Sequence, residues 1–299
     1  MDIEVKENFE IKNLTTFKIG GKVKRVFFPK SEEEFVYLLT ETENPLILGS
    51  CSDILFSSEG YDGDVILTSK MRGLTFDGKR FYAECGVKGS ELSVLALKNS
   101  VSGFEFMSCF PGSIGGNVYM NAGAHGQAIS DTIISAKVFD LKNKELKTLS
   151  KAELELSYRK SILQNGDYIL ISAEFEGVKS TEDEISKRIE ENRTSRAAKQ
   201  PSLKYPNAGS VFKNPENNSA GKLLEEIGAK SFKVNDAEVW QNHANFIVNK
   251  GNATSEDVLE LMYKMYSCVK EKQGIKLKPE VKFFGKRSDR EEEICRILY

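Results

Sequence analysis

Three polar residues from distant parts of the chain have side chains that together suit a reduction. Arg159 lies in the segment SYRKS, Ser210 in NAGS, and Glu280 directly after Pro279. An arginine can bind a carboxylate through two hydrogen bonds and stabilise negative charge that develops on it. A positioned serine can protonate a carbanion, and a glutamate at a strand end can complete an enolate-stabilising site. The set therefore fits reduction of an activated carbon–carbon double bond beside a carboxylate.

Taken singly, each of these residues also has a plainer interpretation. Arg159 could form a surface ion pair, Ser210 could be a turn residue, and Glu280 could lie at a solvated strand edge. Only the combination favours chemistry.

The segment Pro111–Gly126 (PGSIGGNVYMNAGAHG) contains five glycines in sixteen residues. Glycine accepts positive φ and has no Cβ, so backbone amides can turn toward a bound anion. Ser113, Asn117 and Asn121 add neutral hydrogen-bonding side chains. This composition predicts a cradle for a phosphate or diphosphate, with a tight hairpin between two strands as the alternative.

Composition and charge exclude several classes of function. The net charge of -2 gives no basic excess for nucleic acid or an anionic membrane. The five cysteines include no C-x-x-C pair, and the chain has two histidines, which argues against a metal site and favours reduced thiols in the cytoplasm. The acidic amino-terminal segment is no signal peptide, and no apolar run reaches the length of a membrane span.

The first elements of the chain follow a strand–helix–strand order. Val26–Phe28 reads as a strand, Ser31 with Glu34 caps a following helix, and Leu46–Leu48 reads as a buried strand. Ligands gather at the carboxyl ends of such strands, where residues 49–53 (GSCSD) supply hydroxyls and amides. A plain β-turn is the alternative for that loop.

The rest of the chain mixes strands and helices, which predicts an α+β protein. Predicted strands are Val65–Thr68, Phe81–Cys85, Ile133–Asp140, Glu145–Leu149, Tyr168–Glu176, Ala244–Asn249 and Lys278–Phe284. Predicted helices begin at Ser90, cover 182–199 and Ser219–Ile227, and follow the capping pair Thr254 and Asp257; a helical approach over 152–156 leads to Arg159.

Eight motifs in order along the chain resemble the UDP-N-acetylenolpyruvoylglucosamine reductase family, flavin enzymes that complete UDP-N-acetylmuramate for bacterial peptidoglycan. The motifs are Asn13–Gly21, Leu48–Leu55, Gly103–Phe106, Pro111–Gly126, Tyr158–Ser161, Asn207–Pro215, His243–Asn249 and Pro279–Val281. PGSIGG…NAGAHG and NAGSVFKNP are the specific ones, and the resemblance covers residues 13–285.

The resemblance implies an α+β fold with a two-part FAD-binding domain of the vanillyl-alcohol-oxidase type and a smaller C-terminal α/β substrate domain. Residues 1–69, with 276–299 returning to them, would form the first FAD-binding subdomain, 70–205 the second, and 206–275 the UDP-sugar domain.

The resemblance also implies FAD as cofactor, NADPH as reductant and UDP-N-acetylglucosamine enolpyruvate as substrate, in a cytoplasmic monomer that holds no metal. The implied FAD-binding residues are Gly49, Ser50, Cys51, Ser52, Asp53, Pro111, Gly112, Ser113, Ile114, Gly115, Gly116, Asn121, Ala122 and Gly123.

Family chemistry would pass a hydride from flavin N5 to C3 of the enolpyruvyl ether. Arg159 and Glu280 match the residues that stabilise the enolate, and Ser210 matches the proton donor to C2. The residues that match UDP-sugar contacts are Lys199, Asn214, Lys222 and His243.

The chain departs from the family pattern in the first flavin loop. Family members commonly have G-S-N where this chain has Cys51, Ser52 and Asp53. A carboxylate beside a diphosphate predicts weaker or rearranged FAD contacts there. Residues 160–182 are too short for the tyrosine-bearing substrate loop of some members, so we expect the type that lacks it.

Two other functions stay open. One is a different flavin oxidoreductase of the same fold, with His125 as the candidate for covalent flavin attachment. The other is a nucleotide- or flavin-binding protein without turnover, for which the trio Arg159, Ser210 and Glu280 would have no use.

Overall fold

The computed structural model describes residues 2–202 and 204–299. Its α-helices are α1 (Glu32–Glu41), α2 (Gly89–Lys98), α3 (Ile114–Tyr119), α4 (Ile129–Thr132), α5 (Glu182–Lys199), α6 (Ala220–Glu226), α7 (Ser255–Gln273) and α8 (Asp289–Leu298). Its strands are β1 (Glu4–Glu10), β2 (Lys22–Phe28), β3 (Leu46–Leu48), β4 (Ile54–Phe56), β5 (Tyr61–Leu67), β6 (Leu74–Phe76), β7 (Phe81–Glu84), β8 (Val101–Ser102), β9 (Gly123–Ala124), β10 (Gln127–Ala128), β11 (Ile133–Asp140), β12 (Glu145–Ser150), β13 (Tyr168–Phe175), β14 (Val178–Lys179), β15 (Lys233–Val234), β16 (Ala237–Val239), β17 (Ile247–Asn249) and β18 (Lys282–Phe284).

The chain forms two compact units. The first consists of Met1–Lys6, Val26–Ser50 and Asp64–Arg196, and the second of Glu7–Arg25, Cys51–Gly63 and Ala197–Tyr299. The division into three domains stays a prediction.

The first unit is built on an antiparallel sheet with the strand order β12-β11-β13-β7-β6. β11 pairs with β13 from Ile133 opposite Phe175 to Asp140 opposite Tyr168. The central strand β13 is almost entirely buried, and its neighbours contribute aromatic rings to the same core. Phe104 packs edge-on against Phe81, with ring centroids 5.1 Å apart. The strands predicted here are confirmed to within about two residues at their ends.

The second unit combines a three-stranded antiparallel sheet, β15-β16-β17, with helices α6 to α8. Helix α7 begins where predicted, because the Thr254 hydroxyl accepts from the Asp257 N–H and the Asp257 carboxylate accepts from the Thr254 N–H. It ends at Gly274, whose φ of 71° closes the last turn. A parallel pair is formed by β18 and β4, with Lys282 opposite Ile54.

Residues 152–156 were predicted as a helical approach to Arg159, and this prediction is wrong. These residues form turns. The Glu153 carboxylate accepts from the N–H and hydroxyl of Ser150, which favours one turn, but Glu155 has a φ of 48°. A residue in the left-handed region cannot continue an α-helix, so the chain turns away there.

Two predicted strands are shorter in the structure than in the sequence pattern. Ala244–Asn249 contributes only β17, and Lys278–Phe284 contributes only β18. Pro279 has no N–H for a ladder, so that segment makes an isolated bridge with Phe212. Helices α3, α4 and α8 were not predicted. Adjacent glycines obscured α3, whereas the capping box of Ser288 and Glu291 was a readable signal for α8.

Within residues 2–202 and 204–299, no helix is both long enough and apolar enough to cross a bilayer.

The turn after β11 supplies a test of stability against pH. Asp140 is buried, and hydrogen bonds from Lys147 and from the N–H of Asn143 lower the pKa of its carboxyl to about 2. Folding depresses this pKa, so the Asp140 carboxylate stabilises the folded state. That contribution to the free energy of unfolding is complete above the unfolded pKa of about 3.9 and is lost as pH falls toward 2. We expect Asp140→Asn to be less stable than the unsubstituted chain at pH 7 and to lose less stability between pH 4 and 2.

Urea unfolding curves at several pH values measure this difference. The exposed Asp167 lies in the same unit, and Asp167→Asn is the matched control, expected to keep the original pH dependence. Equal acid sensitivity of the Asp140→Asn variant and the unsubstituted chain would contradict the assignment.

Candidate functional site

The glycine-rich segment Pro111–Gly126 is part helix and part turn. Its helix α3 is tied to the chain after β7, because the N–H of Ile114 donates to the Val87 carbonyl and that of Gly115 to the Cys85 carbonyl, both at 2.8 Å. A Cβ on Gly115 would lie 3.2 Å from the Cys85 carbonyl oxygen, so a side chain would push the helix away. These two N–H groups therefore anchor the segment and are not available to a bound phosphate. If the segment binds a phosphate, other groups must donate the hydrogen bonds.

Those donors are side chains. Ser113 and Asn117 are buried, and within the described part of the chain Ser113 Oγ and Asn117 Nδ2 have no hydrogen-bond partner. Ser113 stands at the N-cap of α3 but its hydroxyl does not cap the helix. Leaving a buried donor unsatisfied costs about 1–3 kcal/mol. Two such atoms in one segment indicate that the segment fits a polar ligand.

The first unit's part of the loop 49–53 lies against the same segment. A Cβ on Gly49 would be only 2.1 Å from Ser113 Oγ, so only glycine permits this approach. The predicted juxtaposition of Gly49 and Ser113 is thus present within the first unit. Their neutral donors fit the diphosphate of a dinucleotide such as FAD.

The remaining loop residues belong to the second unit. Cys51 has a φ of 50° and its carbonyl accepts from the N–H and hydroxyl of Thr16. Burial raises the pKa of the Cys51 thiol to about 12, which keeps it neutral and unreactive. The Asp53 carbonyl accepts from the Lys282 N–H at 3.2 Å, so this peptide joins β4 to β18.

Arg159 sits in a tight turn of the first unit. Ser157 and Lys160 exchange two backbone hydrogen bonds of 3.1 Å, and Arg159 between them has a φ of 54°. Its guanidinium Nη2 donates to the Gly123 carbonyl at 3.2 Å and lies over the Tyr158 ring. The structure therefore brings Arg159 to the end of the glycine-rich segment.

Asn121 connects this turn to the glycine-rich segment. Its Nδ2 donates to the Ser157 carbonyl, and its Oδ1 accepts from the Ser130 N–H, each at 2.9 Å. Both polar ends of the side chain are thus engaged within the protein. Its predicted role as an FAD ligand stays a prediction, and its observed role is to support the turn.

Ser210 and Glu280 come from neighbouring segments of the second unit. Ser210 forms a bridge with Phe246 on one side, while the Glu280 N–H donates to the Val211 carbonyl at 2.8 Å on the other. The convergence of Arg159, Ser210 and Glu280 on one site stays a prediction. Arg159 belongs to the first unit.

Asn245 braces the segment that carries Ser210. Its Oδ1 accepts from the Phe212 N–H at 3.0 Å, and its Nδ2 donates to the Phe212 carbonyl at 2.8 Å. The Asn245 side chain thus makes the two hydrogen bonds to the Phe212 backbone that a neighbouring strand would otherwise make. Sequence reasoning missed Asn245, although a polar residue inside the apolar run ANFIVN was a usable signal.

The predicted UDP-sugar residues of the second unit cluster around helix α6. Asn214 Oδ1 accepts from the Ala220 N–H at 3.0 Å, and Lys222 lies in the first turn of the helix. His243 packs on Gly221, where a Cβ would lie 3.0 Å from its Cε1.

His243 is held as a neutral ring. Burial, followed by the charge of Lys199, lowers the pKa of its imidazole. Its Nδ1 accepts from the Asn245 N–H at 3.3 Å, so the ring proton sits on Nε2. Lys199 and His243 therefore offer one charged and one neutral donor in the same neighbourhood.

Two families match the chain. The family described as UDP-N-acetylenolpyruvoylglucosamine reductase, C-terminal domain, matches residues 200–284, and the FAD binding domain matches residues 23–150. These matches confirm an α+β protein with an FAD-binding domain and a C-terminal reductase domain.

Relatives extend the match to almost the whole chain. A UDP-N-acetylenolpyruvoylglucosamine reductase of Caldicellulosiruptor bescii is 41% identical over 289 residues, covering 95% of this chain and 91% of the relative. That of Clostridium tetani is 42% identical over 94% of this chain and 92% of its own length. The solved structure of the Thermus caldophilus reductase superposes with a TM-score of 0.81 at 31% identity, covering 95% of this chain and 99% of the other. The chain belongs to the UDP-N-acetylenolpyruvoylglucosamine reductase family, whose members are FAD-binding oxidoreductases.

Proposed function

We propose that the chain uses NADPH to reduce UDP-N-acetylglucosamine enolpyruvate to UDP-N-acetylmuramate, a precursor of peptidoglycan. The observation that carries the proposal is the backbone hydrogen bond from the Glu280 N–H to the Val211 carbonyl, because it joins the segments that bear the Ser210 hydroxyl and the Glu280 carboxyl group. Family membership supplies the substrate class.

FAD would be held by the first unit through Ser113, Asn117 and the backbone of Gly49. Ser113 and Asn117 contribute donors that have no other partner within the described residues, and Gly49 permits close approach. FAD, when bound, supplies the chemistry of accepting a hydride from NADPH and delivering it to C3 of the enolpyruvyl group.

The protein's own residues would manage the charge and the proton. As C3 gains a hydride, negative charge develops over C2 and the attached carboxylate. Arg159 would bind that carboxylate and stabilise the charge, with its guanidinium steadied by the Gly123 carbonyl. Glu280 would stabilise the same enolate by hydrogen bonding. Ser210 would donate a proton to C2, which completes the addition of one hydride and one proton across the double bond.

The nucleotide half of the substrate would be held by the second unit. Lys199 supplies a positive charge for a diphosphate, and His243 supplies the Nε2–H of a neutral imidazole. Lys222 and Asn214 lie at the start of the same helix, α6. We further propose that the protein acts as a monomer in the cytoplasm, where its five free thiols stay reduced.

The unpartnered hydroxyl of Ser113 gives a test of the flavin site. We expect Ser113→Ala to weaken FAD binding roughly tenfold, the effect of losing one hydrogen bond to a charged group. Titration of the flavin-free chain with FAD, followed by flavin fluorescence, measures the dissociation constant.

Ser93→Ala is the matched control for Ser113→Ala. Ser93 is also a buried serine of the first unit with an unpartnered hydroxyl, but it lies in α2 outside the glycine-rich segment. Its substitution should leave FAD affinity unchanged. A similar loss in both variants, or in neither, would remove Ser113 from the flavin site.

Ser210 gives a test of the chemistry. We expect Ser210→Ala to slow recovery of flavin colour on adding the enolpyruvyl substrate by about 10²–10⁴, because a general acid is lost. Bleaching of the flavin by NADPH should keep its rate. Stopped-flow absorbance measures the two half-reactions separately.

Ser231→Ala, an exposed serine of the second unit, is the control for Ser210→Ala. An unaltered recovery rate in Ser210→Ala would exclude Ser210 as the proton donor. Bleaching by NADPH with no recovery in the unsubstituted protein would instead favour flavin binding without turnover on this substrate.

A further inference from the structure

The turn that carries Arg159 has an unfavourable backbone conformation. Arginine at a φ of 54° lies in the left-handed region, which residues with a Cβ seldom adopt. Within the turn, Ser157 and Lys160 exchange two backbone hydrogen bonds of 3.1 Å. Contacts from outside the turn must therefore help to hold Arg159 in place.

One side chain reaches both the turn and helix α3. Gln164 lies in a short 3-10 turn, Ile162–Asn165, directly after the Arg159 turn. Its Nε2 donates to the Arg159 carbonyl at 3.1 Å and to the Tyr119 carbonyl at 2.7 Å. Tyr119 is the last residue of α3, so one amide group joins the arginine's own peptide to the glycine-rich segment.

The chemistry of this contact is selective. A glutamine Nε2 carries two hydrogens, and its two shortest contacts are the two carbonyls, with Met120 Sδ farther away at 3.9 Å. A glutamate of the same shape would direct an oxygen at two carbonyl oxygens, and a methionine would fill the space without a donor. The Ser161 hydroxyl also donates to the Tyr119 carbonyl, at 2.8 Å.

Asn121 also fastens the turn, but its Nδ2 donates to the Ser157 carbonyl and its Oδ1 accepts from the Ser130 N–H. A change at Asn121 would disturb both the glycine-rich segment and the turn. Gln164 is the side chain whose donor group contacts both the Arg159 backbone and α3.

We propose that Gln164 is a positioning residue for the reduction step: its amide fixes the Arg159 backbone against the end of α3, so that the guanidinium meets the substrate carboxylate at a defined place. This inference rests on the role proposed above for Arg159. Gln164 itself would contact neither flavin nor substrate.

The first test compares the two half-reactions in the FAD-loaded chain. Gln164→Met and Gln164→Glu should slow recovery of flavin colour with the enolpyruvyl substrate by roughly 10- to 100-fold, the effect of a displacement of about 1 Å near the chemistry. Bleaching by NADPH should stay within about twofold, because that step does not use the substrate carboxylate. Gln164→Glu should be the slower variant.

The second test asks whether Gln164 acts through Arg159. In an Arg159→Ala background, adding Gln164→Met should cause no further loss of rate, because the positioned group is already absent. Gln241→Met is the matched control, since Gln241 is an exposed glutamine whose Nε2 also donates to a backbone carbonyl, that of Lys230. It should leave both half-reactions unchanged.

The outcomes separate this inference from the proposed function. If Arg159→Ala slows the reduction step but the Gln164 variants do not, or if the two effects multiply in the double variant, the positioning role is overturned and the function stands. If Arg159→Ala leaves the rate unchanged, the role of Arg159 fails and the positioning role fails with it. Should Gln164→Met not fold, Gln164→Asn keeps the amide but shortens its reach, and an undiminished rate in that variant likewise overturns the inference.

Discussion

Two short backbone hydrogen bonds, from Ile114 to Val87 and from Gly115 to Cys85, hold the glycine-rich segment of the first unit against the chain that leaves β7. They fix the start of α3, and with it the Ser113 hydroxyl beside Gly49. They also fix the end of α3 one and a half turns later, since a six-residue helix has little freedom to bend. The Arg159 turn is attached to that end. The proposed flavin-binding donors and the proposed anion-stabilising arginine thus share one short rigid element.

In the second unit, isolated bridges and one side chain, rather than a short helix, hold the segment that carries Ser210. Its Ser210 segment is flanked by segments too irregular to form a continuous sheet, because Pro279 has no N–H to donate and residues 244–245 form a turn. Asn245 compensates by presenting an amide to both polar atoms of the Phe212 backbone. Short bridges supported by the buried Asn245 side chain leave Ser210 and Glu280 outside regular strands.

Much of the fold was readable because local signals agreed with tertiary packing. Capping pairs at Ser31 and Thr254 marked the starts of α1 and α7, and the apolar residues of Ile133–Asp140 marked strand β11. Helix α3 was not readable, since two adjacent glycines disfavour a helix and only the contacts with Cys85 and Val87 offset that preference. The helix predicted for residues 152–156 is absent for the opposite reason. These residues favour a helix by composition, but Glu155 has a left-handed backbone conformation that a helix cannot include.

The candidate site shows the same division. The residues that we propose for the chemistry could be named from their type and motif, whereas those that we propose to position them could not. Asn245 bonds the backbone of Phe212, which lies more than 30 residues earlier in the sequence. Gln164 bonds the carbonyl of Tyr119, which lies more than 40 residues earlier. Any residue supplies such a carbonyl, so the partner leaves no mark on the sequence. Only coordinates reveal which glutamine or asparagine has one within reach.

Several of the proposed ligand-binding side chains are buried neutral groups, because burying a charge costs more than burying a neutral donor. Ser113 and Asn117 are neutral and buried, so before a ligand binds they cost unsatisfied hydrogen bonds but not the larger desolvation of an ion. His243 follows the same logic, because burial and Lys199 lower its pKa and favour the neutral donor. The net charge of -2 shows that attraction of an anionic nucleotide cannot come from the protein as a whole. It must come from single cations at the surface, such as Lys199, while fixed neutral donors provide the geometry.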